Sequence, residues 1–118
     1  MYGWDTVEKQ HVVDLLTALK EFFSDKDKWI YWPRGEDKTG KEVEPSSEDA
    51  VKWCLSGAGQ VLASKMFDVP LCDYVECATR EVLDEMSDGK HAHGMTYDDE
   101  YALICLVLEQ LTKEEEAK

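Results

Sequence analysis

The stretch Trp53-Cys54-Leu55-Ser56-Gly57-Ala58-Gly59 sets a thiol beside closely spaced glycines. Two chemistries use such residues. A cysteine becomes nucleophilic where a helix N-terminus or a nearby cation favours the thiolate. A glycine-rich loop just ahead of a helix turns its free amides toward an anion. Position relative to the helix start decides both. Ser46 or Ser47, followed by Glu48 and Asp49, reads as a helix start with acids at the positive end of the dipole. Val51, Cys54, Leu55, Ala58, Val61 and Leu62 then form an inner stripe. This start places Cys54 about two turns inside the helix, beyond most of the dipole's reach. The glycines fall mid-stripe, with no lysine and Ser/Thr after them and no apolar strand before them. The expectation is a core cysteine and a small-residue face that something bulky covers. Glycine costs a helix about 1 kcal/mol relative to alanine, so such a face calls for a packing reason.

Other residues suggest chemistry less directly. His91 and His93 flank Ala92 with Asp88 nearby, a candidate zinc pair that has no third or fourth ligand at a diagnostic spacing. Cys72 and Cys77 are five positions apart, about 140° around a helix axis, and do not form a clean ligand pair. His11 sits at a helical position that suits a partly buried structural histidine. Adjacent acids recur at Asp84/Glu85, at Asp98/Asp99/Glu100 and from Glu114 to Glu116, and solvated helix faces account for most of them. No Ser-His-Asp arrangement has a supporting local motif.

These residues belong to a chain of 118 with a formal net charge of −13. Residues 1–60 hold 12 acidic and 8 basic residues, whereas residues 61–118 hold 14 and 5. That balance repels phosphate, so direct nucleic-acid binding and attachment to an anionic membrane are not expected. An acidic face suits a basic protein surface instead, including one built to hold DNA or RNA. The plainer role of the charge is solubility. No apolar run approaches the roughly 20 residues of a membrane-spanning helix, and MYGWDTVEKQ lacks a basic region followed by an apolar one. The four cysteines lie within helix-like apolar patterns and read as reduced thiols of a cytoplasmic protein.

Four segments have helical periodicity. The first opens at Asp5-Thr6-Val7-Glu8 and carries His11, Val12, Leu15, Leu16, Leu19, Phe22 and Phe23 inward, ending near Ser24-Asp25. The second is the segment from Ser46. Asp68-Val69-Pro70 introduces the third, near 70–86, with Leu71, Val75, Ala78, Val82 and Met86 inward. Residues 87–95 form a loop. Thr96-Tyr97-Asp98-Asp99 opens the fourth, with Tyr97, Tyr101, Ile104, Cys105, Leu108 and Leu111 inward and a frayed tail at 112–118. The spacing predicts one compact, mainly all-α four-helix domain over 1–118. Between the first two helices, residues 25–45 predict a short aromatic hairpin or ordered loop that turns at Lys38-Thr39-Gly40-Lys41. Trp29, Tyr31, Trp32 and Pro33 are expected to cover the small residues of the second helix, the alternative being an exposed recognition patch.

The run from Pro45 through Ser47, Ala50, Trp53, Cys54, Gly57 and Ala58 resembles the P-x-S-x-x-A-x-x-W-C-x-x-G-A stretch of a family of small uncharacterised proteins from bacteria and their phages. The Trp29 to Gly40-Lys41 segment resembles that family's preceding W and G element, and Ser87-Asp88 with Thr96 to Leu103 resembles its later element. Ser87 stands where asparagine is usual, and the histidine-containing loop is longer. The resemblance implies a small helical domain of prokaryotic or phage origin and carries no activity, cofactor or catalytic residue with it.

The function expected is a non-enzymatic acidic protein-binding module without a cofactor. Its specific form would be a phage or mobile-element inhibitor that engages a basic, nucleic-acid-binding surface of a host protein. Asp73, Glu76, Glu81, Asp84, Glu85, Asp98 and Asp99 are the candidate partner-binding residues. The alternative is a small cytoplasmic enzyme or metal-binding protein that uses Cys54 or His91/His93.

Overall fold

The computed structural model describes residues 7–31, 34–87 and 96–116. Four helices carry the fold among them: α1 (Lys9–Phe22), α2 (Leu55–Met66), α3 (Leu71–Met86) and α4 (Tyr97–Glu116). Their apolar stripes meet in one cluster, with Leu15, Leu16, Leu19, Phe23, Val75, Leu83, Ile104 and Val107 at its centre. A predominantly helical, compact four-helix arrangement is therefore present.

The first helix starts later than its sequence pattern suggests; Asp5 and Thr6 lie outside the described residues. Glu8 is its N-cap residue, and the Glu8 amide donates to His11 Nδ1 at 3.0 Å. The His11 ring is half-buried and meets Phe67 edge-on at 5.3 Å, as a structural histidine should. Val13 joins the expected inner residues of α1. After α1, Asp25 caps a single 3₁₀ turn over Lys26–Lys28 by accepting from the Asp27 amide.

The insert is ordered, but its strand partner lies farther along the chain. Strand β1 (Gly35–Glu36) pairs antiparallel with β2 (Lys52–Trp53), in the register Gly35 to Trp53 and Glu36 to Lys52. Trp29 bridges the other side of Trp53, and the Ile30 amide donates to the Trp53 carbonyl at 3.0 Å. The turn after β1 is the expected one. Asp37 Oδ1 accepts from the Thr39 amide, the Thr39 hydroxyl and the Lys41 amide, and Gly40 adopts φ +88°. The Thr39 hydroxyl and the Lys41 amide hold the Asp37 carboxyl below the usual carboxylate range.

The second helix departs most from expectation. It begins at Leu55, not at Ser46 or Ser47, and residues 46–53 are turns followed by β2. Serine followed by acids is a turn signal as well as a cap signal. Here the Ser47 hydroxyl accepts from the Asp49 amide, and the Ser47 carbonyl accepts from Ala50. Sheet pairing then holds Lys52 and Trp53 extended, and the Val51 amide donates to the Glu36 carbonyl at 2.8 Å. Val51, expected inward, is 44% exposed.

The small residues Gly57, Ala58 and Gly59 of α2 are indeed buried. A Cβ on Gly57 would overlap the Arg34 carbonyl oxygen, and a Cβ on Gly59 would lie 3.4 Å from Glu76 Cγ. Backbone of the insert therefore lies against Gly57, and a glutamate side chain of α3 lies against Gly59. Trp29 packs at the start of α4 instead, Tyr31 is 58% exposed, and Trp32 and Pro33 lie outside the described residues. Gly57→Ala should therefore destabilise by about 1–3 kcal/mol through overpacking. Gly59→Ala, at ordinary contact distance, should be neutral or slightly stabilising through helix propensity. Urea denaturation of the two variants side by side measures the contrast.

Candidate functional site

The structure changes the setting of Cys54. It is the N-cap of α2, with φ −79° and ψ 172°, and its Sγ accepts from the Gly57 amide at 3.4 Å. Cys54 thus lies at the end of the helix where the dipole acts, not two turns inside it. The four cysteines are free thiols; Cys72 is buried and the other three are half-buried. Among the described residues no cluster of three or more metal-ligating side chains forms. His91, His93 and Asp88 lie outside the described residues.

Helix α3 separates its acids by direction. Its buried residues are Cys72, Val75, Glu76, Thr79 and Leu83. That arc is turned by about 75° from the stripe Leu71, Val75, Ala78, Val82 and Met86 read from the sequence. Leu71, Ala78 and Val82 still pack half-buried against the core, whereas Met86 is 44% exposed. Asp73, Glu81 and Glu85 are exposed and Asp84 is half-buried.

Glu76 is the exception: it does not stand on the outer acidic face where its sequence setting puts it. It is 4% exposed, turned into the seam with α2 opposite Gly59. Arg80 Nε stands 2.7 Å from Glu76 Oε1, off the N–H direction, so the contact is an ion pair rather than an aligned hydrogen bond. Arg80 also donates to Cys77 Sγ at 3.5 Å. Burial raises the Glu76 pKa above its ordinary value, and the opposing pull of the Arg80 charge does not cancel it. The outer part of the Arg80 side chain reaches solvent, which lets its charge remain hydrated.

Asp98 and Asp99 are exposed in the first turn of α4, where carboxylates stabilise a helix start. The Asp99 amide donates to the Thr96 hydroxyl at 3.2 Å. Glu100, not singled out by sequence reasoning, is buried and accepts from Trp29 Nε1 at 2.8 Å. This bond joins the insert to α4 across 71 positions of chain. Its one sequence signal is an acid in the first turn of a helix, which alone names no partner. Tyr97 meets Trp29 edge-on at 6.0 Å, stacks on Tyr101, and donates its hydroxyl to the Phe23 carbonyl. Burial, Tyr101 and the carboxylates of Asp98 and Asp25 raise the Tyr97 pKa.

No described helix is long and apolar enough to cross a membrane. Comparison of the chain with protein-family models, with curated proteins and with solved structures returns no match.

The raised Glu76 pKa has a definite sign in stability. The folded state holds its proton more tightly than the unfolded state, whose value is near 4.5. This contribution is fully present below that value and is lost as pH rises through the folded pKa. Glu76→Gln should remove that decline, so the stability difference between variant and wild type should grow in the variant's favour as pH rises above 4.5. Chemical denaturation at a series of pH values measures it; a difference that is flat or opposite in sign would show that the Arg80 contact outweighs burial.

Proposed function

We propose that the chain is a non-enzymatic acidic protein-binding module that uses the outer face of α3 against a basic partner surface. The observation that supports this reading is directional. Asp73, Glu81, Asp84 and Glu85 occupy about 120° of α3, opposite its buried arc. Arg80, the sole basic residue of that helix, is drawn toward Glu76 in the α2 seam. Acidic charge therefore gathers on the side away from the core, and the overall −13 extends its field. A cytoplasmic partner with a nucleic-acid-binding groove suits this chemistry, and a phage or mobile-element inhibitor is the biological form that follows from it.

Charge reversal tests the face. Asp73→Lys, Glu81→Lys and Glu85→Lys substitute exposed positions; Glu81 and Glu85 should change stability by no more than about 0.5 kcal/mol, and Asp73, in the first turn of α3, by about 1 kcal/mol. A partner identified by co-purification and mass spectrometry should lose binding to the triple variant, and its wild-type affinity should fall steeply with salt. Unchanged binding by the triple variant would sink the proposal.

The N-cap position of Cys54 favours one second reading, a small enzyme with that thiol as nucleophile. Iodoacetamide modification at neutral pH, located by mass spectrometry, addresses it. Modification of Cys54 faster than free cysteine would support the enzyme; an inert Cys54 would remove it.

A further inference from the structure

A groove of about 510 Å³ runs between the 3₁₀ turn and the first turn of α4. Trp29 and Tyr97 line it together with Asp27, Asp98, Lys26 and Lys52. Both aromatic rings are anchored by their polar atoms, Trp29 through Glu100 and Tyr97 through the Phe23 carbonyl. Those hydrogen bonds hold the rings in place, and Tyr101 stacks on Tyr97.

One cation already lies over the Tyr97 ring. Lys26 Nζ stands 5.5 Å from the centre of the Tyr97 ring, within the range of cation–π attraction. The helix start would by itself favour an anion, but Asp98, Asp99 and Glu100 all lie in that first turn and offset its positive end. With Lys26 displaced, the lining would hold two carboxylates against the single ammonium of Lys52. The chemistry then suits a cationic ligand with a short apolar collar, which an aromatic wall desolvates less severely than a bare ion.

We propose that this groove binds an organic ammonium group supplied by a basic partner, and that Lys26 is a built-in stand-in which the incoming group displaces. The inference rests on the basic-partner reading above and gives it an anchoring point that no α3 residue lines. Displacement makes Lys26 a competitor: its ammonium shields the Tyr97 ring until a second cation takes its place.

The experiment is an NMR titration of the intact chain with tetramethylammonium chloride, against sodium chloride at matched ionic strength. Shifts of the Tyr97 ring and Trp29 indole signals are the readout. Lys26→Ala should bind the ammonium roughly two- to fivefold more tightly than wild type, the size of one exposed cation–π contact. Tyr97→Leu should abolish the shifts of Trp29. The test does not depend on that variant folding, because Lys26→Ala alters an exposed side chain and decides the matter alone. Equal or weaker binding by Lys26→Ala, or shifts that follow sodium phosphate instead of the ammonium, would overturn the proposal. The Asp73, Glu81 and Glu85 reversals should leave the titration unchanged, so failure of the groove and failure of the α3 face are read separately.

Discussion

The helical core and the irregular insert meet where the backbone of Arg34 rests on Gly57. No side chain could stand at position 57 without overlapping the Arg34 carbonyl oxygen. That same oxygen accepts from the Cys54 amide at 3.3 Å. One carbonyl thus meets both the N-cap of α2 and its first turn. From this contact the register of β1 against β2 follows, because Gly35 comes opposite Trp53. Trp53 is then set with its ring edge-on to Phe22 of α1 and its indole N–H on the Pro45 carbonyl. The insert is therefore part of the packing of α1 and α2. A glycine that costs the helix propensity is repaid by close approach of backbone to backbone.

Two buried glutamates do related work elsewhere. Glu100 receives the indole N–H of Trp29 and fastens the insert to α4. Glu76 lies in the α2–α3 seam, where Gly59 leaves room for its side chain and Arg80 supplies the opposite charge. A buried charge pair seldom adds net stability over an apolar replacement of the same shape. The pair marks the rotation of α3: the carboxylate faces Gly59 of α2 and Arg80 meets it. That rotation carries Cys72 and Thr79 inward and leaves Met86 exposed.

Much of this was legible in the sequence where periodicity was strong. The apolar spacing of α1 identified most of its inner residues, whereas in α4 it found Ile104 but not the buried Leu103 and Val107; Asp37 to Lys41 folds as the turn its glycine and acid suggest. The start of α2 was not legible, because Ser46-Ser47-Glu48-Asp49 fits a turn as well as a cap, and the pairing that chose between them lies in residues 35–36. A local signal cannot register a partner that distant. The face of α3 is not legible for a similar reason: an acid on a helix reads as outward, whereas the space beside Gly59 and the proximity of Arg80 appear only in three dimensions. Glu100 escaped notice because its partner is 71 residues away. The acidic character of the second half was legible, but not which of its carboxylates face outward.

That sorting of carboxylates bears on how an acidic module could select a partner. The formal −13 counts Glu76 and Glu100, which are turned inward, and Asp98 and Asp99, which stabilise the start of α4. Long-range attraction depends on the whole charge and raises the rate of encounter, but it falls with salt and discriminates poorly among basic surfaces. Discrimination needs a short-range feature that not every basic surface can fill. In the reading proposed here the α3 face supplies the field and the Trp29–Tyr97 groove supplies the fit. A partner whose cations are merely numerous would meet the first and remain salt-sensitive. One that places a single ammonium against Tyr97 would dissociate more slowly, because it adds a short-range contact to the long-range attraction.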